Sequence, residues 1–248
     1  MSLDSQVSSS DLNNSYSDDG LTIVVNGEDS VVTISGPTRF FNNTCNGKGG
    51  GMALVQSLVV NFNRKNITFS ENSAGVSGGA VYIEGIGSGT KFENVSFVGN
   101  VAQIGGAVHA TGSGTTVTID EEGKQILNPT TFEGCKFIDN FAFTMGGAIF
   151  SASGQDYFLD TLFEGNQAKV GGALRLAGSV SIKNCSFFDN ISDLDGGPAV
   201  FNIGYMPSFT RNTFRGNVFN CDPETFLNFN KSDDHFGTVC TGCFGECP

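Results

Sequence analysis

The chain has 248 residues, 34 of them Gly and 23 Phe, with no Trp and only 15% charged residues. Glycine at that level without a three-residue period excludes collagen, and the phenylalanine content excludes simple disorder. A net charge of −12 excludes nucleic acid and anionic membrane surfaces as partners, because both need clustered Lys and Arg.

No run approaches the roughly 18 apolar residues of a membrane helix, so no membrane insertion by this chain is expected. Residues 1–20 lack a charged n-region and an apolar h-region and read as a flexible lead-in. Leu21–Val25 and Val31–Ser35 read as two strands around the turn Asn26-Gly27, at the entrance to a repetitive region.

From Phe40 onward one pattern recurs: F-x-x-N, a short spacer, then G-G-A-apolar. It is clearest from Phe97 to Ala110, FVGNVAQIGGAVHA. Other full copies open at Phe69 (FSENSAGVSGGAVYIE), Phe137 (FIDNFAFTMGGAIFSA), Phe163 (FEGNQAKVGGALRLAG) and Phe187 (FFDNISDLDGGPAVFN). An altered copy starts at Phe40 and a truncated one at Phe214. The steps between these phenylalanines are 29, 28, 40, 26, 24 and 27 residues, a period that marks a solenoid with one supersecondary unit per turn.

Each unit is stranded. Gly-Gly in every copy would cost a helix about 2 kcal/mol, and the surrounding Val, Ile, Phe, Thr and Tyr suit strands. Three short strands per unit are expected: one ending at the motif Phe, one after Gly-Gly, and one between copies, as at Lys91-Phe92. Stacked at about 4.8 Å, about seven such coils form a rod on the order of 35 Å long.

Period-two alternation assigns the faces. Val95 and Phe97 point inward and Asn94 and Ser96 outward; Ile67/Phe69, Cys135/Phe137, Thr161/Phe163 and Cys185/Phe187 are the equivalent inward pairs. The phenylalanines should stack as an internal ladder, with Asn72, Asn100, Asn140, Asn166 and Asn190 bonded to one another at the following corner. The 40-residue step holds an insertion at 111–131 that reads as a projecting hairpin. After 21–220, the β-helix, residues 221–248 read as a cap over the open end.

Cys135 and Cys185 occupy equivalent repeat positions and read as small buried hydrophobes, while Cys45 stands alone in an early loop. Cys221, Cys240, Cys243 and Cys247 crowd the tail and form either two disulfides or a four-thiolate zinc site, the former being the reading adopted. Asn-x-Ser/Thr sequons begin at Asn13, Asn42, Asn66, Asn94, Asn184, Asn190 and Asn230, candidate N-glycosylation positions in an extracellular protein.

F-x-x-N followed by G-G-A-apolar resembles the repeat of the chlamydial polymorphic outer membrane proteins, over about Phe40 to Asn217. The resemblance implies a right-handed parallel β-helix exposed at a cell surface and linked to adhesion. It carries no catalytic motif. The chain departs from that family in its clustered C-terminal cysteines.

The outward position after G-G-A-apolar reads, coil by coil, Tyr82, His109, Phe150, Arg175 and Phe201, an exposed aromatic column suited to stacking on sugars or anchoring a protein. The competing account is that such residues simply favour strand columns or pack under the insertion. The acidic pairs Asp18-Asp19, Glu121-Glu122 and Asp233-Asp234 do not converge on one strand column, as a polysaccharide-cleaving β-helix enzyme would require. Thr68, Ser96, Ser186 and Thr213 share an outward row that Lys136 and Leu162 interrupt. Glu71, Asp139 and Asp189 share a bend position but fall two coils apart, too far to ligate one calcium ion. The expectation is therefore a non-catalytic structural or adhesive module that needs no cofactor and binds proteins or glycans. The alternative is a carbohydrate-active β-helix protein.

Overall fold

The computed structural model describes residues 31–34, 37–55, 59–84, 90–112, 117–119, 125–127, 129–152, 155–193, 197–203, 208–220 and 238–241. Among them there is no helix. The coil of Phe97 shows the plan. Lys91–Val98 bends at Asn94 and so supplies two strands, Val101–Ile104 a third and Val108–Thr111 a fourth. Each stacks in parallel on its counterparts one coil away. The result is an all-β parallel solenoid walled by a 12-stranded, an 8-stranded and a 6-stranded sheet.

The expected inward pairs are buried: Ile67, Val95, Cys135, Thr161 and Cys185 at one position, and Phe69, Phe97, Phe137, Phe163 and Phe187 at the next. The motif rings stack face to face from Phe40 to Phe214, with centroids 4.3–5.2 Å apart and planes within 9°. A second ladder, Phe92–Phe132–Phe158, runs beside it and meets the first edge-on at 5.6–5.9 Å. Each ring's burial stabilises the coil by about 2–3 kcal/mol.

Seven asparagines, Asn43, Asn72, Asn100, Asn140, Asn166, Asn190 and Asn217, line the next corner, all buried. Asn100 shows the scheme. Its Nδ2 donates to Asn140 Oδ1 at 2.9 Å and to the Phe69 carbonyl at 3.0 Å. Its Oδ1 accepts from the backbone N–H and Nδ2 of Asn72, at 3.0 and 2.9 Å. Both amide hydrogens and both lone pairs are used.

The Gly-Gly pair answers two separate demands. Gly105 has φ of 62°, a left-handed bend that suits glycine. At Gly106 the obstacle is space, since a Cβ there would fall on the carbonyl oxygen of Gly147 in the next coil. Pro198 stands at this second position in the last coil that has a Gly-Gly-Ala strand. No described strand follows Val200–Asn202 in that sheet, so among the described residues nothing requires its missing N–H.

Three expectations change. The solenoid has about five full turns, not seven, carried by the copies at Phe69, Phe97, Phe137, Phe163 and Phe187. The copies at Phe40 and Phe214 form its two ends, and counting them as whole coils gave the higher number. Each turn has four strands rather than three, because the segment between the asparagine and Gly-Gly is itself a strand. Its inward residues are small: Cys45, Ala74, Ala102, Ala142, Ala168 and Ser192. Cys45 therefore belongs to the repeat, in register with Ala74, and is not a lone loop cysteine.

Within the insertion Val117–Ile119 pairs antiparallel with Gln125–Leu127. Val31–Ile34 pairs in parallel with the start of Val59–Ser70, whereas Leu21–Val25 lies outside the described residues, as does the lead-in 1–20. Thr238–Thr241 adds a strand to Asn217–Asn220. Cys221, Cys243 and Cys247 of the expected cap fall outside the described residues, and of Cys240 only the backbone is described.

Asn140→Ala should leave two donors of Asn100 and the Phe97 carbonyl without partners and cost on the order of 3 kcal/mol. Urea unfolding against an exposed control, Lys183→Ala, within about 0.5 kcal/mol of wild type, measures it.

Candidate functional site

The fourth strands, Met52–Val55, Val81–Glu84, Val108–Thr111, Ile149–Ala152, Leu174–Leu176 and Val200–Asn202, form the six-stranded sheet. Their inward residues, among them Val81, Ile83, Val108, Ile149, Leu174 and Leu176, are buried. The alternate positions bring Ala53, Tyr82, His109, Phe150, Arg175 and Phe201 into one row, each in register with the next. The predicted column is therefore assembled, but it is not uniformly exposed.

Its first half is closed. Tyr82 is 3% and His109 8% exposed, which corrects the expectation of an open aromatic surface there. Lys48 Nζ lies 4.4 Å from the Tyr82 ring centre and donates to its hydroxyl at 2.7 Å. That hydroxyl donates to Glu84 Oε2 at 2.9 Å, and Lys48 pairs with the same carboxylate at 3.5 Å. His109 meets Tyr82 and Phe150 edge-on at 5.3 and 4.8 Å, and among the described residues neither of its ring nitrogens has a hydrogen-bond partner. Burial, then the positive charge of Lys48, lowers the His109 pKa from 6.5 to about 4, with Glu84 opposing. The ring is neutral at pH 7.

The second half is open. Phe150, Arg175 and Phe201 are half-buried. The Arg175 guanidinium carbon lies 4.9 Å from the Phe201 ring centre, and Nη1 donates to the Leu176 carbonyl at 2.7 Å. Its buried Nε has no partner among the described residues, and burial lowers the pKa below the ordinary arginine value. Among the described residues no carboxylate pairs with it.

The other predicted positions separate clearly. Asn42, Asn66, Asn94 and Asn184 are exposed and occupy left-handed bends, with φ of 53°, 80°, 56° and 54°. Asn190 is wholly buried, its Nδ2 committed to Asn217 and the Phe163 carbonyl, so the folded chain cannot carry a glycan there. Asn13 and Asn230 lie outside the described residues. The Cys135 and Cys185 thiols are buried, and desolvation pushes their pKa values up to about 12 and about 11. Such thiols are poor nucleophiles.

Two features give no clear signal in the sequence pattern. Glu93 and Glu133 stand in register on neighbouring coils, with Lys91 3.4 and 2.8 Å from them. The three side chains are each 35–40% exposed, and an ion pair of this kind contributes about 1 kcal/mol at most. Phe141–Met145 carries a bulge against Val101–Ile104 that leaves Phe143 48% exposed. Its one trace in the sequence is the extra residue before Gly146. Among the described residues no group of three or more His, Cys, Asp or Glu is placed to hold a metal ion.

These observations define a repeat-built parallel β-solenoid with one aromatic-cationic outer row. A family model for the Chlamydia polymorphic membrane protein repeat matches residues 66–84, from the Asn66 bend through the asparagine corner and Gly-Gly to the strand that bears Tyr82. The chain carries this repeat. No solved structure matches it.

His109 makes stability depend on pH. Its folded pKa lies below the unfolded value, so the unfolded chain binds the proton first and stability falls as pH drops from about 6.5 towards 4. The loss should reach on the order of 3 kcal/mol. Urea unfolding at pH 7 and pH 4.5 should show a smaller pH-dependent drop for His109→Phe than for wild type.

Proposed function

We propose that the protein is a non-catalytic structural and adhesive module displayed at a cell surface, which contacts proteins or glycans through an outer face of its β-helix. The repeat belongs to a family associated with the outer membrane and cell surface, and this carries the reading. A rigid stack whose inner positions are committed to packing leaves its outer rows free to vary. The row of Phe150, Arg175 and Phe201 is the contact face this reading favours, because half-open aromatic and arginine side chains suit interfaces. Tyr82 and His109 then act as the packed support of that face.

Glu93 and Glu133 stand side by side on one face, yet they share a lysine. Among the described residues neither a third carboxylate nor a histidine pairs with them.

Beads coated with the protein should adhere to cultured cells above an albumin control. Phe150→Ala combined with Phe201→Ala should reduce adhesion at least about fivefold, as loss of central aromatic contacts does elsewhere. Unchanged adhesion of the double variant would remove this row as the contact face, and release of reducing or unsaturated sugars from polysaccharide would overturn the non-catalytic reading.

A further inference from the structure

We propose that the open half of this row binds the carboxylate of an acidic saccharide, with Arg175 as the anion contact and Phe150 and Phe201 as the surfaces on which sugar rings stack. The proposal rests on the contact-face reading above and names its ligand class.

Three consecutive coils build the site. Phe150, Arg175 and Phe201 are neighbours in register, and strand spacing makes the row about 10 Å wide, the reach of a disaccharide. Beside them the next outward positions are Ala152, Ala177 and Ile203. Ala152 is exposed, Ala177 partly so, and Ile203 60% exposed. Two alanines next to a protruding isoleucine form a low shelf along the aromatic row.

The charge on that shelf is unanswered. Lys48 and Lys91 each have a glutamate partner. Among the described residues Arg175 donates only to a neutral carbonyl, and its buried Nε has no acceptor. In a chain with 25 acidic and 13 basic side chains, a half-buried guanidinium left without a carboxylate is an unmet demand of definite chemistry. With Nε buried and Nη1 turned to the Leu176 carbonyl, Nη2 is the guanidinium nitrogen left to meet a carboxylate in a charge-assisted hydrogen bond, and the flanking rings suit the apolar face of a pyranose. A peptide fits less well. Leu174–Leu176 is hydrogen-bonded to strands on both sides, so no free backbone edge is offered beside Arg175 for strand addition.

Calorimetric titration with tetragalacturonate and sialyllactose, against cellotetraose, lactose and octaglutamate, tests the proposal. At least one acidic saccharide should bind about tenfold or more tighter than its neutral counterpart, with affinity falling as salt rises. Arg175→Gln should lose about tenfold or more and Arg175→Lys part of that, while Lys183→Gln on another face matches wild type. Thermal unfolding of each variant checks that the coil stack persists. Which acidic probe binds separates a uronate from a sialate. Equal binding of neutral and acidic saccharides would overturn the acidic ligand class yet leave the contact face standing. Cell adhesion that depends on Phe150 and Phe201 without binding of any saccharide, or octaglutamate binding as tightly as the sugars, would overturn the saccharide. Arg175→Gln binding as wild type would overturn the anion contact.

Discussion

The asparagine ladder is the interaction on which the rest of the solenoid depends. A turn of about 25 residues must close on itself, and at the sharp corner after the motif Phe some backbone groups lack a strand partner. Each asparagine supplies two donors and one doubly accepting oxygen, which matches the needs of the corner. It satisfies a carbonyl one coil back and an amide oxygen one coil ahead, and its own oxygen accepts the backbone N–H of the asparagine one coil back, as in Asn140. Aspartate would lack the donors, and serine would be too short to span two coils. Buried at 0–1% exposure, these bonds lie where an unmade partner is most costly. The ladder therefore fixes which coil stacks on which, and the register of every other column follows.

Stacking at the strand spacing then dictates the remaining columns. Phenylalanines held about 4.8 Å apart in register adopt parallel planes, although isolated rings prefer offset or edge-on contacts. The second ladder restores edge-on contacts at 5.6–5.9 Å, so two columns pack better than one. The left-handed bends obey a similar rule. A Cβ at Gly134, Gly165 or Gly216 would meet the side chain of Asn94, Asp139 or Asp189 one coil below, so these three positions take glycine, whereas the successive bends Asn66–Asn94 and Asp160–Asn184–Arg211 keep their side chains. This explains the glycines that follow Asp139 and Asp189 without any bound cation. It also explains three sequons, at Asn66, Asn94 and Asn184. An asparagine at the left-handed bend, an inward residue and an outward Ser or Thr together spell the acceptor pattern.

The inner wall was legible because it repeats chemistry at a fixed period. Alternation placed Val95 and Phe97 inward, and the recurring asparagine pointed to a bonded corner. The third strand was not legible, because its inward residues are alanine-sized and give no apolar alternation to read. The second phenylalanine ladder was hidden for a different reason. Its members precede the motif at spacings that the loops between coils alter, so they do not align when copies are written from the motif Phe. Burial of Tyr82 and His109 was also out of reach. Outward direction follows from period two, but exposure depends on what the adjacent coil contributes, here Lys48 above the Tyr82 ring and Phe150 against His109.

That difference between direction and exposure decides where function can reside. One row of outward residues runs the length of the sheet, yet its members do unlike things. At the Tyr82 end every charge is matched: Lys48 finds both the tyrosine hydroxyl and Glu84, and His109 is kept neutral by burial. The Arg175 end has the same kind of scaffold beneath it but keeps its guanidinium unmatched between two half-open rings. Inner residues are constrained by the coil above and the coil below, so the repeat carries little information about partners. Specificity must come from outward positions whose needs the protein itself does not meet, and on this face Arg175 is such a position.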